Sequence, residues 1–387
     1  MRKRGFILVA FTLIAVLLVA SCAPKPAPTP APTPAPTTPA PTPVAAAPTQ
    51  APTAAPTTPA PRPATPTAAP ATPAPAVKLP ATLSFATAGV GTTSYIVASA
   101  FNEVITKYTG TKLTVEPSGA TARWVPLMKT KDIDFAVGCG ASDVKDAYYG
   151  VNYWADKGGP QPVLNAAIGH VSPYGFNVTD PNIKSVADLK GKKIYGNMVG
   201  MRVVKGVVDI LLREAGLKPG DVEILTFSDI NEAAKGIQEG KAVGVWYIPT
   251  VLPIVEVDRA KPLYGIPVPK AMADKVQVEF PELGFYTWKK GDGIGKADVP
   301  YMNQPCSMHV RADLDPDIVY TVLSIIYANY NDYKDKHPIL KEWTPEQAVT
   351  VLFSPFHPGA IKYFKDKGVW KDEQEKMHQK LLAKPKG

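Results

Sequence analysis

From residue 79 onward, short apolar runs alternate with stretches whose apolar residues recur at helical spacing, and glycines punctuate the changes. The run at 82–87 predicts a strand. After Gly89-Val90-Gly91-Thr92-Thr93-Ser94, the residues Val97, Phe101, Val104, Ile105 and Tyr108 share one helical face, and Gly110 supplies a stop. A second strand is predicted at 112–116, then a loop at 117–121 leading into a helix toward Lys129. A third strand at 133–137 ends in Gly138-Cys139-Gly140-Ala141-Ser142. Three strands that each end in a small polar loop opening a helix describe a parallel α/β sheet, whose loops gather at the carboxyl edge where ligands bind.

The cadence then restarts. Strands are predicted at 163–168, 174–178, 194–196, 222–226 and 243–247, with helices between them whose ends fall at Gly216 and Gly240. Asp229 with Glu232 has the spacing of a capping box. Beyond Tyr301 the pattern predicts one return strand at 306–310 and then only helices, at 316–333, 345–353, 359–367 and 372–383. The expected fold is α/β with two lobes and a ligand cleft between them: lobe I from 79–170 plus 290–387, and lobe II from 171–289. Hinged lobes of this kind close on a small ligand.

Residues 1–78 carry a different pattern. Arg2, Lys3 and Arg4 precede an apolar run at 6–20, shorter than the roughly 20 residues needed to cross a bilayer, so the start reads as a signal peptide. The run ends in Leu18-Val19-Ala20-Ser21-Cys22, which resembles a bacterial lipobox. The expectation is a signal peptide at 1–22, lipidation at Cys22, and a mature protein tethered to the outer side of the cell membrane. Residues 23–78 hold 20 of the chain's 42 prolines among Ala and Thr, too little apolar surface for a core, and read as a disordered linker.

The charge follows this division. The whole chain has a net charge of +8, but six of its 42 basic residues and none of its 34 acidic ones fall before residue 79. The remainder is nearly balanced, which argues against a nucleic-acid partner, since such domains concentrate positive charge on one face.

Catalytic chemistry is poorly supported. The histidines at 170, 309, 337, 357 and 378 have no metal-ligand spacing, and Gly89-Val90-Gly91 lacks the third glycine of a dinucleotide loop. No cofactor, metal or enzymatic activity is expected. Cys139, in a loop at the expected cleft, leaves three readings open: a nucleophile, a disulfide with Cys306, or a plain buried thiol. What remains is hydroxyl and amide chemistry. Thr92, Thr93, Ser94, Ser118, Thr121 and Ser142 lie where helix N-termini present free N–H groups, which favour an anion. Arg123 and Arg202 could each hold a carboxylate bidentately, and Trp124, Met198, Met201, Trp246 and Tyr247 add apolar walls.

Five motifs in order carry a family resemblance: Gly91-Thr92-Thr93-Ser94-Tyr95, Val115-Glu116-Pro117-Ser118-Gly119, Ser185-Val186-Ala187-Asp188-Leu189-Lys190-Gly191-Lys192, Val310-Arg311-Ala312-Asp313-Leu314, and His357-Pro358-Gly359-Ala360-Ile361-Lys362-Tyr363. Together they resemble the TAXI family of TRAP transporter solute-binding proteins over essentially all of 80–370. The resemblance implies a type II periplasmic-binding-protein fold that captures an organic anion and delivers it to the membrane subunits of a sodium-driven permease. It also implies Gly91, Thr92, Tyr95, Ser118 and Thr121 as the first-lobe site. The chain departs from the family at Ala120, near Trp124, and at Met201-Arg202-Val203-Val204-Lys205, where members carry Gly-Ser-Gly-Thr-Glu. A bulkier or aromatic carboxylate is therefore expected, anchored by Arg202 or Arg123 and flanked by Trp124, Trp246 and Tyr247. The alternative partner is a membrane signalling receptor, with the same cleft acting as a sensor.

Overall fold

The computed structural model describes residues 77–387. The expected signal peptide, Cys22 and nearly all of the expected linker lie outside the described residues. Among the described residues, no helix is long and apolar enough to cross a membrane.

The first half runs β1 (Thr82–Thr87), α1 (Thr93–Thr109), β2 (Lys112–Pro117), α2 (Thr121–Lys129), β3 (Phe135–Gly138) and α3 (Ala141–Tyr149). β1 pairs in parallel with both β2 and β3, so the three strand ends point the same way. Gly110 closes α1 in the left-handed conformation, at φ 71°, where a side chain would be strained.

The 16-residue strand β4 (Val163–Val178) leaves this half and begins the second. There follow β5 (Lys193–Met198), α4 (Arg202–Glu214), β6 (Glu223–Phe227), α5 (Ile230–Gln238), β7 (Gly244–Tyr247), α6 (Leu252–Ala260), β8 (Tyr264–Ile266), α7 (Lys270–Glu279) and β9 (Gly284–Trp288). β10 (Val299–Arg311) returns to the first half, and α8 (Pro316–Ala328), α9 (Pro358–Asp366) and α10 (Asp372–Leu382) finish the chain. The sheet order is β2-β1-β3-β10-β4-β7-β5-β6. β4 and β10 are antiparallel partners from Met302 opposite Tyr174 to Arg311 opposite Val163, with register shifts at Pro305/Ser307 and Met308/His309.

Several details depart from the sequence pattern. Two strands were expected at 163–168 and 174–178, but β4 is continuous, because Ser172 and Pro173 sit within the ladder opposite Gln304 and Asn303. The helix expected at 345–353 is only a 3-10 turn at Gln347–Val349. The capping box expected at Asp229 and Glu232 is split: Asp229 accepts from the Asn231 N–H, while Glu232 accepts from Ser228.

Two apolar cores result. One gathers Phe85, Phe101, Val137, Tyr333 and Trp343 from the first half and the chain's end. The other gathers Phe176, Ile194, Val208, Trp246 and Tyr301, and reaches across to Ala120 and Cys139. The architecture is therefore two α/β lobes joined by the β4–β10 crossing, with the lobes in contact at the starts of α2 and α3.

Candidate ligand-binding site

Three helices begin at one place. Thr92 is the N-cap of α1, donating from its hydroxyl to the Gly89 carbonyl at 2.7 Å and accepting from the Tyr95 N–H at 3.3 Å. α2 starts from Ala120 and α3 from Gly140, and neither has a side-chain cap. A Cβ on Gly140 would lie 2.6 Å from Thr121 Oγ1, so glycine is what lets these two helix starts approach so closely. In α2 the Ala122 N–H already donates to the Gly200 carbonyl and the Arg123 N–H to the Ala120 carbonyl; first-turn N–H groups without such a partner need an outside acceptor, and the helix dipole favours a negative one.

The cavity at these helix starts has a volume of about 30 Å³. Thr92, Thr93, Thr121, Trp124 and Cys139 line it from the first lobe; Met198, Met201 and Tyr247 line it from the second. A water needs roughly 10–15 Å³ measured in this way, so the cavity has room for about two waters. None of its lining residues is Lys, Arg, Asp or Glu.

Other expected residues lie elsewhere. Arg202 is committed to the protein itself: Nε donates to Asp146 at 3.1 Å, an Nη donates to Glu279 at 3.1 Å, and the guanidinium lies over the Phe280 ring. Arg123 is exposed at the surface beside Gly119. Trp246 is buried edge-on against Phe176, away from the cavity. Tyr95 and Ser118 also lie outside the cavity lining, the Ser118 hydroxyl donating to the Glu116 carbonyl. Ser142 is buried in the first turn of α3 without touching the cavity, its hydroxyl unpaired among the described residues. Gly91 is also outside the lining, and its carbonyl accepts from the Leu252 N–H of α6.

One feature was missed from the sequence. Asp143, on α3, caps the start of α4 across the cleft, accepting from the Arg202 N–H at 2.7 Å. Burial first, and the Asp146 carboxylate second, push the Asp143 carboxyl up to about 7. An acidic residue one turn into a helix was a visible signal, but its acceptance of donors from the opposite lobe was not. Of the three readings open for Cys139, the disulfide is the one present: Cys139 and Cys306 are joined at the cavity floor beneath Thr93 and Ser94, both near the Cys139 sulfur.

The strand order, the two cores and the cleft between them define a two-lobed α/β fold. The chain belongs to the NMT1-like family, whose pattern matches residues 85–368. Among solved structures it is similar to the periplasmic aliphatic sulphonate-binding protein SsuA from Escherichia coli, at 14% identity over 80% of each chain with a TM-score of 0.41. It is also similar to the alkanesulfonate-binding SsuA from Xanthomonas axonopodis pv. citri, at 14% identity over 76% of this chain and 94% of that one, with a TM-score of 0.40.

Proposed function

We propose that this chain is an extracytoplasmic solute-binding lipoprotein, tethered through Cys22, that captures a small organic anion in its interlobe cavity and hands it to a membrane permease. The observation that carries this reading is the meeting of three helix N-termini, two of them without side-chain caps, at one small cavity between the lobes. A carboxylate there accepts from first-turn N–H groups and the Thr92, Thr93 and Thr121 hydroxyls, and needs no cationic partner. The five motifs shared with the TAXI family favour a TRAP-type partner.

The cavity's small volume and the diversion of Arg202, Arg123 and Trp246 move the guest from a bulky aromatic acid toward a small one. A larger acid requires wider lobe separation than this conformer has. Calorimetry of the full-length protein against small carboxylates tests the ligand class. One acid should bind with a 1:1 stoichiometry, and its uncharged amide should bind at least tenfold more weakly, about 1.4 kcal/mol. Equal affinity for acid and amide would refute the anion reading. Uptake in proteoliposomes driven by a sodium gradient would identify the permease class, and uptake driven only by ATP would reject the TRAP assignment.

A further inference from the structure

The cavity floor has chemistry that solute capture does not use. Cys139 follows β3 and forms part of the cavity wall, whereas its partner Cys306 lies behind it on β10, fully buried. An imidazole nitrogen of His170 and both sulfurs lie within 4.8 Å of one another. Ser172 Oγ is 3.3 Å from the Cys306 sulfur and 3.8 Å from that of Cys139.

This His170 is poorly suited to a metal. Its Nδ1 accepts from the Trp343 indole N–H at 3.2 Å, which leaves the neutral ring's proton on Nε2. Burial pushes the ring's pKa down to about 3, so the ring is neutral. The buried Nε2–H has no acceptor among the described residues. A disulfide sulfur is a weak acceptor, and a thiolate is a strong one. The hydroxyl of Ser172 and the unpaired Nε2–H of His170 are therefore better matched to a thiolate at Cys306 than to the closed disulfide.

We propose that the Cys139–Cys306 bond is an exchange site for a small thiol entering through the cleft, with attack at Cys139 and Cys306 as the leaving group. The incoming thiolate forms a bond to the Cys139 sulfur, the Cys139–Cys306 bond breaks, and its electron pair leaves on Cys306. Ser172 and the His170 Nε2–H then donate to that thiolate. One disulfide is exchanged for another, and a second thiol attacking the mixed disulfide releases the oxidised small disulfide and a free Cys139. The site would thus take a low-molecular-weight thiol, whatever solute the cavity carries, and the proposal stands apart from the anion reading.

The test uses cysteamine with the oxidised, folded, full-length protein, followed by an acid quench, alkylation with N-ethylmaleimide, and peptide mass mapping. The expected map shows a cysteamine disulfide at Cys139 and maleimide at Cys306. An adduct at Cys306 instead, or no adduct in the folded protein when the same chain exchanges in denaturant, overturns the proposal. S172A should slow exchange roughly tenfold, because a hydrogen bond to the leaving thiolate is lost. An unchanged rate in both S172A and H170F, with both folded by circular dichroism, also overturns it. The wild-type map requires no variant to fold.

Discussion

Asp143 shows how one side chain links the two lobes. It accepts from the Arg202 N–H across the cleft, with Asp146 and Lys145 on its own helix, Arg202 opposite and Tyr174 within electrostatic reach. Its folded pKa of about 7 lies above the ordinary 3.8, so the folded protein holds a proton there that the unfolded chain has lost. That contribution is complete below about pH 3.8 and disappears as pH rises through about 7. The melting temperature of the wild type minus that of D143N should fall between pH 5 and pH 8, because Asn keeps the acceptor and cannot ionise. A difference constant across that range would contradict the assignment. R202A should lower stability by about 1–3 kcal/mol, because Asp146 loses its guanidinium partner and stays mostly buried. Denaturant titration measures this. Arg202 was legible as a cation beside a glycine-containing loop; that Asp146, 56 residues earlier, would take it was not, because pairing across a cleft leaves no local periodicity. Trp246 likewise reads as an aromatic at a strand end, and only the position of Phe176 turns it inward.

At the scale of elements, most of the fold was readable because its signals are local. The alternation of apolar runs with glycine stops gave the first three strand–helix units nearly residue for residue, and β1 spans the expected 82–87. The long crossing strands were harder. Proline at 173 looks like a break, but β4 continues through it in register with Asn303 of β10, and the register shifts fall nearer the start of β4, at Pro305/Ser307 and Met308/His309. The crossing also depends on residues without side chains. A Cβ at Gly175 would run into the Tyr301 ring, and one at Gly169 into the Trp343 ring. G175A and G169A should each destabilise the protein by about 1–3 kcal/mol, since neither aromatic has space to move in a close-packed core. Equal stability of the wild type and both variants in denaturant would show that the crossing is looser than described. Residues 248–300, with their two helices and two short strands, have mixed patterns and were not assigned from the sequence.

Among the described residues, the two lobes are held together by contacts across the cleft. The Ala122 N–H donates to the Gly200 carbonyl, the Leu252 N–H donates to the Gly91 carbonyl, and Lys145 pairs with Glu282 at 2.6 Å, each bond running from one lobe to the other. Gly200 has a φ of 79°, and a Cβ there would stand 3.0 Å from that of Ala122. G200V should hold the lobes apart, raising the radius of gyration in small-angle scattering and weakening ligand binding. An unchanged radius with unchanged affinity would show that this contact does not set closure. The two-lobed plan was readable because each lobe repeats its strand–helix cadence; the closure contacts were not, because two of them use backbone groups that every residue carries and the third pairs side chains 137 residues apart. The central claim is that the converging helix starts hold an anion between the lobes. Mass spectrometry of the small molecule released when the native-source protein is denatured tests it most directly. The account predicts one small organic anion per chain, missing from T121V purified in the same way. A preparation that releases no small molecule, or one that T121V retains equally, would contradict it.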